Sequence, residues 1–167
     1  MNLRRGLGGA GGNWPRDGEC PDPRVVIQEA ALYCGCACAL MVLNDAGIVV
    51  PSQDYLYELA GSIPFSCDSL AKALNEITGH LTWRAAYVGT RDGEDYHDVL
   101  GILSQRPWVA QMWEQMNGIG HFVVVENYIG NQLTILDPAP PGTAYRMTET
   151  DFSEYWTLGA VYLIEAQ

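Results

Sequence analysis

Hydrophobic residues first recur with a helical period over Cys34–Asp45, where Ala37, Leu40, Met41 and Leu43 form a stripe and Gly47 supplies the left-handed stop. A second helix is predicted behind Pro51-Ser52, running through Tyr55, Leu56 and Leu59 to Gly61. A third starts at the cap candidate Ser66 and carries Leu70, Leu74 and Ile77 to Gly79. After Gly79 the pattern changes. Residues 81–88 read as a strand, 97–105 as a short helix stopped by Pro107, and 108–113, 121–128, 132–136 and 159–165 as strands separated by turn signals. Gly130-Asn131 makes a tight hairpin turn, and a short helix at 150–155 interrupts the late strands. Helices first and a mostly antiparallel sheet second is an α+β arrangement, with no βαβ alternation to suggest a parallel sheet.

Residues 1–24 break this patterning. Six glycines between Gly6 and Gly18, with Pro15, Pro21 and Pro23, give a composition that buries little surface, so a flexible arm or linker is expected there and a single domain over 25–167. At 167 residues, 48% hydrophobic and 17% charged, the chain has enough apolar material for one sizeable core. No stretch approaches the roughly 18 to 20 uninterrupted apolar residues of a membrane span. The start, Met1-Asn2-Leu3-Arg4-Arg5, runs into glycines rather than an apolar signal core. The expected location is therefore cytoplasmic, or inside a target cell after delivery without a classical signal peptide, with no membrane partner. Nine basic residues against twenty acidic ones, a net charge of −11, exclude nucleic acid as a partner, because phosphate binding needs Lys and Arg to displace counterions.

Five cysteines change the picture further. Cys34, Cys36 and Cys38 alternate in one short segment, where disulfides between them would be strained, and an odd total leaves one over, so a reducing compartment fits. The C-x-C-x-C spacing lacks a zinc knuckle, and no second ligand pair follows; neither metal nor cofactor is expected. Cys34 opens the first predicted helix, where the helix dipole favours a thiolate. Cys36 lies about 200° round that helix, and Cys38 a turn further in, positions suited to packing. Position on the helix thus singles out Cys34 as a nucleophile. Six residues earlier, Gln28 offers a neutral amide able to donate to an oxyanion, alongside the Cys34 backbone N–H. His80 and His97 sit among loop and helix-start residues, whereas His121 begins an apolar strand after Gly118-Ile119-Gly120. Asp137 follows sixteen residues later at the end of the next strand. A hairpin registered on Gly130-Asn131 brings the two toward one end of the sheet, as a base and its orienter require.

The run from Gln28 through Cys34-Gly-Cys-Ala-Cys-Ala-Leu to Met41 resembles the Q-x5-C-G-x-A-x3-M signature of papain-like cysteine peptidases, in the branch that includes the double-glycine leader peptidases of bacteriocin exporters (peptidase C39-like). Gly120-His121 followed by Asp137-Pro138 resembles that branch's histidine and aspartate block, and Phe152-x3-Trp156 a recurring segment. The resemblance covers roughly residues 25–165. It implies a papain-like fold and an acyl-enzyme mechanism in which Cys34 attacks, His121 acts as general base and acid, Asp137 orients it and Gln28 lines the oxyanion hole. Two positions depart from the pattern: Tyr33 replaces the usual polar residue before the cysteine, and Cys36 the proline two after it.

The implied function is a cysteine endopeptidase acting on a protein or peptide. A domain of this size with a glycine-rich front also resembles bacterial effector or toxin modules, whose producers carry a cognate inhibitor. The chain carries no transporter or ATPase segment of a leader-processing exporter. Two alternatives stay open at this point: acyl transfer, transglutaminase-like or deamidating chemistry on the same triad, and a peptide-binding module without activity.

Overall fold

A computed structural model of the chain describes residues 12–61, 65–89, 96–115 and 118–164. Its helical half contains α1 (Cys34–Asp45), α2 (Gln53–Ala60) and α3 (Cys67–Thr78). The caps that set these helices are local. The Ser52 side chain accepts from the Tyr55 N–H, and Gly61 ends α2 in the left-handed region at φ +67°, which a side chain would resist. Ser66 and Ser69 close a reciprocal capping box at the start of α3. Helix α1 differs, because its buried residues face every direction and include Cys34, Cys36, Cys38 and Met41. A helix apolar all round belongs inside a domain, and α1 lies between α2, α3 and the sheet.

The sheet is built from β1 (Asp17–Pro21), β2 (Thr82–Tyr87), β3 (Trp108–Glu114), β4 (Ile119–Ile129), β5 (Gln132–Asp137), β6 (Thr143–Thr148) and β7 (Trp156–Ile164). Helix α4 (Tyr96–Leu103) precedes β3, and α5 (Glu149–Tyr155) separates β6 from β7. The strand order is β1-β6-β5-β4-β3-β7-β2, with every neighbouring pair antiparallel. The expected α+β arrangement is what forms. Alternation along the strands gives the sheet two cores: Phe122 and Val124 pack with α1 to α3, whereas Val123 and Val125 face the opposite layer of Trp108, Phe152 and Trp156. The β4–β5 hairpin turns on Gly130 and Asn131, at φ +59° and +62°, and pairs Ile129 with Gln132. Among the described residues, no helix is long and apolar enough to cross a membrane.

Two strands were not predicted. Strand β6 follows the Pro138–Gly142 stretch and buries Thr143, Ala144 and Tyr145 in succession, so alternation is confined to its second half. Strand β1 is exposed along its whole length and exists through backbone pairing with β6 at the sheet edge, where Pro21 is tolerated at its end. The arm expected over 1–24 is accordingly corrected in its described part. Trp14 is buried at 1% exposure and residues 17–21 are a strand. Glycine and proline content masked a single large anchor. Residues 1–11 lie outside the described residues.

Candidate active site

The first turn of α1 meets the end of the β4–β5 hairpin. Cys34, the first residue of α1, is 9% exposed at the wall of a groove of about 590 Å3. His121 lies near the start of β4 and Asp137 ends β5, both buried. His121 Nε2 and Asp137 Oδ1 are 2.8 Å apart. That carboxylate oxygen also accepts from the Ala139 N–H at 3.0 Å, and Oδ2 accepts from the Tyr145 hydroxyl at 2.8 Å. The other imidazole nitrogen, Nδ1, is buried. The interaction left to that ring is with the Cys34 thiol, a contact that in unliganded sites is commonly looser than in the reacting complex.

The electrostatics separate Cys34 from the other thiols. Burial opposes its ionisation, but the His121 hydrogen bond and charge, aided by the backbone N–H groups of Phe122 and Gly35, bring its pKa below the ordinary thiol value. Burial instead pushes Cys36 up to about 12, Cys67 up to about 11 and Cys38 well above its usual value. For His121, burial works against the charged ring, yet the charge and hydrogen bond of Asp137, together with Cys34, raise its pKa. Asp137 is held below the usual carboxylate range against its own desolvation, chiefly by the His121 charge and hydrogen bond. The pattern suits a thiolate–imidazolium pair backed by a carboxylate.

Gln28 is buried in the loop before α1, and its backbone N–H donates to the Pro138 carbonyl at 2.9 Å, tying the loop to the strand end that carries Asp137. Its side-chain Nε2 donates to the carbonyls of Ala30 at 2.9 Å and Ala31 at 3.1 Å, so the amide is turned onto its own loop rather than into the groove. Gln53, absent from the sequence expectations, braces the same loop. It is buried at the first turn of α2, accepts from the Glu29 N–H at 3.1 Å and donates to the Ile27 carbonyl at 2.8 Å. A polar residue behind a serine cap reads as solvent-facing, and no signal in the sequence separates it from one. Tyr33 holds the other side of this region: its hydroxyl donates to Asp54 at 2.8 Å and its ring stacks on Tyr57. His80 and His97 are not part of the cluster; His97 pairs with Glu149 on an exposed surface.

The groove beside Cys34 has apolar walls that include Leu32, Phe65 and Trp113, with Gly118 and Gly120 at its edge where no side chain intrudes. Gln111 enters it with its Oε1 accepting from Tyr87 at 3.2 Å and Thr157 at 3.1 Å.

The sequence model of the peptidase C39 family matches residues 23–167. Cysteine protease effector 1 of Escherichia coli O1:K1:H7 is 34% identical over 157 residues, 93% of this chain but 30% of the effector. The chain therefore spans about a third of that relative's length. Among solved structures, the peptidase domain of Streptococcus ComA, a bifunctional ABC transporter involved in quorum sensing, superposes with a TM-score of 0.68 at 23% identity, covering 85% of this chain and 98% of that one. A double glycine motif protease from an AMS/PCAT transporter, in complex with its leader peptide, gives 0.65 at 22% identity, covering 83% and 89%. The fold is thus papain-like, as the sequence pattern implied. The chain belongs to the peptidase C39 family and is a cysteine protease.

Proposed function

We propose that the chain is an endopeptidase in which Cys34 is the nucleophile, His121 the general base and acid, and Asp137 the residue that orients the imidazole. The observation that carries this reading is the buried 2.8 Å His121–Asp137 contact beside a thiol whose pKa is lowered, at the head of a groove. The Cys34 thiolate attacks the scissile carbonyl carbon, the carbonyl oxygen takes up the negative charge, and the imidazolium passes its proton to the departing amine. Water, deprotonated by His121, then attacks the thioester carbon and releases the acid and the free thiol. The relative from Escherichia coli, named a cysteine protease effector, supports a bacterial effector setting. A protein substrate in a target cell and an inhibitor protein in the producer are part of the same proposal.

Mass-spectrometric mapping of new peptide termini in a bacterial lysate, wild type against Cys34→Ala, tests this reading. New termini confined to the wild type are expected. Products that instead gain an amine linkage or a one-dalton shift, with no new termini, would assign the thioester to acyl transfer or deamidation.

Gln28 completes the proposed machinery by exchanging one of its loop hydrogen bonds for the oxyanion as the carbonyl carbon becomes tetrahedral. The Cys34 backbone N–H is the second donor. Gln28→Ala is expected to lower kcat by about 10²-fold to 10³-fold with little change in KM, since such a donor acts mainly in the transition state. Steady-state kinetics on a mapped cleavage peptide provide the check. Loss of thermal stability with unchanged kcat would make Gln28 a loop brace only.

A further inference from the structure

The groups that hold Asp137 come partly from outside the hairpin that carries it. The Tyr145 hydroxyl, which donates to Asp137 Oδ2, itself accepts from the Trp14 indole Nε1–H at 2.8 Å. An indole nitrogen can only donate, so Trp14 forces the single Tyr145 proton toward the carboxylate. With Oδ2 engaged, the carboxylate cannot rotate, and Oδ1 stays on His121. Trp14 is 1% exposed, with its ring centroid 6.1 Å from that of His121. Two residues on, the Arg16 side chain is 6% exposed, lies 4.4 Å over the Tyr145 ring and reaches within 4.0 Å of Asp137 Oδ2. Glu19 neutralises its outer side at 3.2 Å and accepts from Thr143 Oγ1 at 2.8 Å. Both Trp14 and Arg16 precede the region matched by the family, and β1 pins their segment to β6.

A segment that served only to cover the sheet would do so with apolar side chains. Burying an indole N–H, a phenol and a guanidinium together costs desolvation that packing alone does not require, and all three converge on one carboxylate. We propose that Trp14 and Arg16 are positioning residues of the active site, and that residues 14–21 form a strap which fixes the orientation of Asp137 and favours its ionised form. The inference rests on the triad reading above. The other titratable groups facing Asp137 are His121 from β4, Tyr145 from β6 and Cys38 from α1. Burial keeps Tyr145 and Cys38 protonated, so the positive charges nearest the carboxylate are those of His121, at 2.8 Å, and Arg16, at 4.0 Å.

The test is the rate of Cys34 alkylation by iodoacetamide from pH 4 to 9, with thermal melts, in the full chain. Trp14→Phe keeps a ring without the donor, and Tyr145→Phe removes the hydroxyl. Each is expected to slow alkylation at pH 6 by about 3-fold to 10-fold, the effect of one lost hydrogen bond. Each should also move the acid limb to higher pH, because a carboxylate deprived of a donor protonates sooner. The double variant should be no slower than Tyr145→Phe alone, since Trp14 acts through that hydroxyl. Arg16→Gln should shift the same limb in the same direction. Arg146→Ala, which removes the exposed pair with Asp17 on the same two strands, should leave the profile unchanged. Wild-type profiles in both Trp14→Phe and Arg16→Gln, with only the melting temperature lowered, would overturn the strap. His121→Ala, run alongside, separates the two readings: if it too retains the wild-type profile, the triad assignment fails first.

Discussion

Cys34→Ala is expected to abolish peptide cleavage, a loss on the order of 10⁶-fold in turnover, because no other thiol of the chain shares its position at the start of α1 beside His121. The neighbouring cysteines are chemically similar and only two and four residues away, so the distinction is one of environment. Cys34 sits at the first position of α1 with the imidazole and two backbone N–H groups directed at its sulfur. Cys36 and Cys38 are fully buried and held as neutral thiols by desolvation. Cys36→Ala and Cys38→Ala should therefore keep turnover within a few-fold and lose about 1–3 kcal/mol of stability from the space left in the core. Kinetics on a mapped cleavage peptide, paired with denaturant melts, read both effects. An active Cys34→Ala beside a dead Cys36→Ala would move the nucleophile one step along the motif.

Much of the helical half was legible because its signals are local. Ser52, Gly61 and Ser66 each act within one turn of their own position, and α2 begins and ends, and α3 begins, where those residues require. The sheet was legible where apolar residues run together. Strands β3, β4, β5 and β7 each carry such a run, whereas β6 is short and mixes Thr143 and Arg146 with its apolar residues behind a proline-rich loop, and β1 buries none. An edge strand held by its backbone leaves no pattern in its side chains. The arm illustrates the same limit from the other direction, since average composition cannot weigh one buried Trp14 against its surrounding glycines.

The candidate site divides along the same line. Cys34, His121 and Asp137 could be named because a helix start and a hairpin turn fix where each points. Tyr145 could not, because its approach to Asp137 depends on the β5–β6 register, in which Asp137 pairs with Thr143 and Ile135 with Tyr145. Two positions along a neighbouring strand places a side chain on the same face, within reach of a long phenol. That register follows a proline-rich loop whose length gives no indication of it. Gln28 was named for its spacing from Cys34, but the direction of its amide is set by the Ala30 and Ala31 carbonyls and by the brace from Gln53.

Replacing His121 should reveal whether the lowered thiol pKa is the product of the pair. In the wild type, burial by itself would raise the Cys34 pKa, and the imidazolium reverses that direction. Alkylation of Cys34 is therefore expected to be rapid already at pH 6, below the ordinary thiol pKa of about 8.5, and to rise as pH passes through the lowered value. In His121→Ala the desolvation remains and only the Phe122 and Gly35 N–H groups still oppose it, so the thiol pKa should climb. At a pH far below the pKa, each unit of that climb removes tenfold of the thiolate, and a loss of about 10²-fold to 10³-fold at pH 6 is expected. The alkaline side runs the other way. Asp137 raises the His121 pKa, so the pair persists until pH exceeds that raised value and the ring loses its proton. Asp137→Asn removes the counterion but keeps a group able to hold the ring, so turnover should fall less than in His121→Ala while the alkaline limb moves to lower pH. His80→Ala and His97→Ala should shift neither limb. Identical alkylation profiles in wild type and His121→Ala would show that the two residues do not ionise as a pair, leaving the lowered thiol pKa to the backbone N–H groups of Phe122 and Gly35 alone.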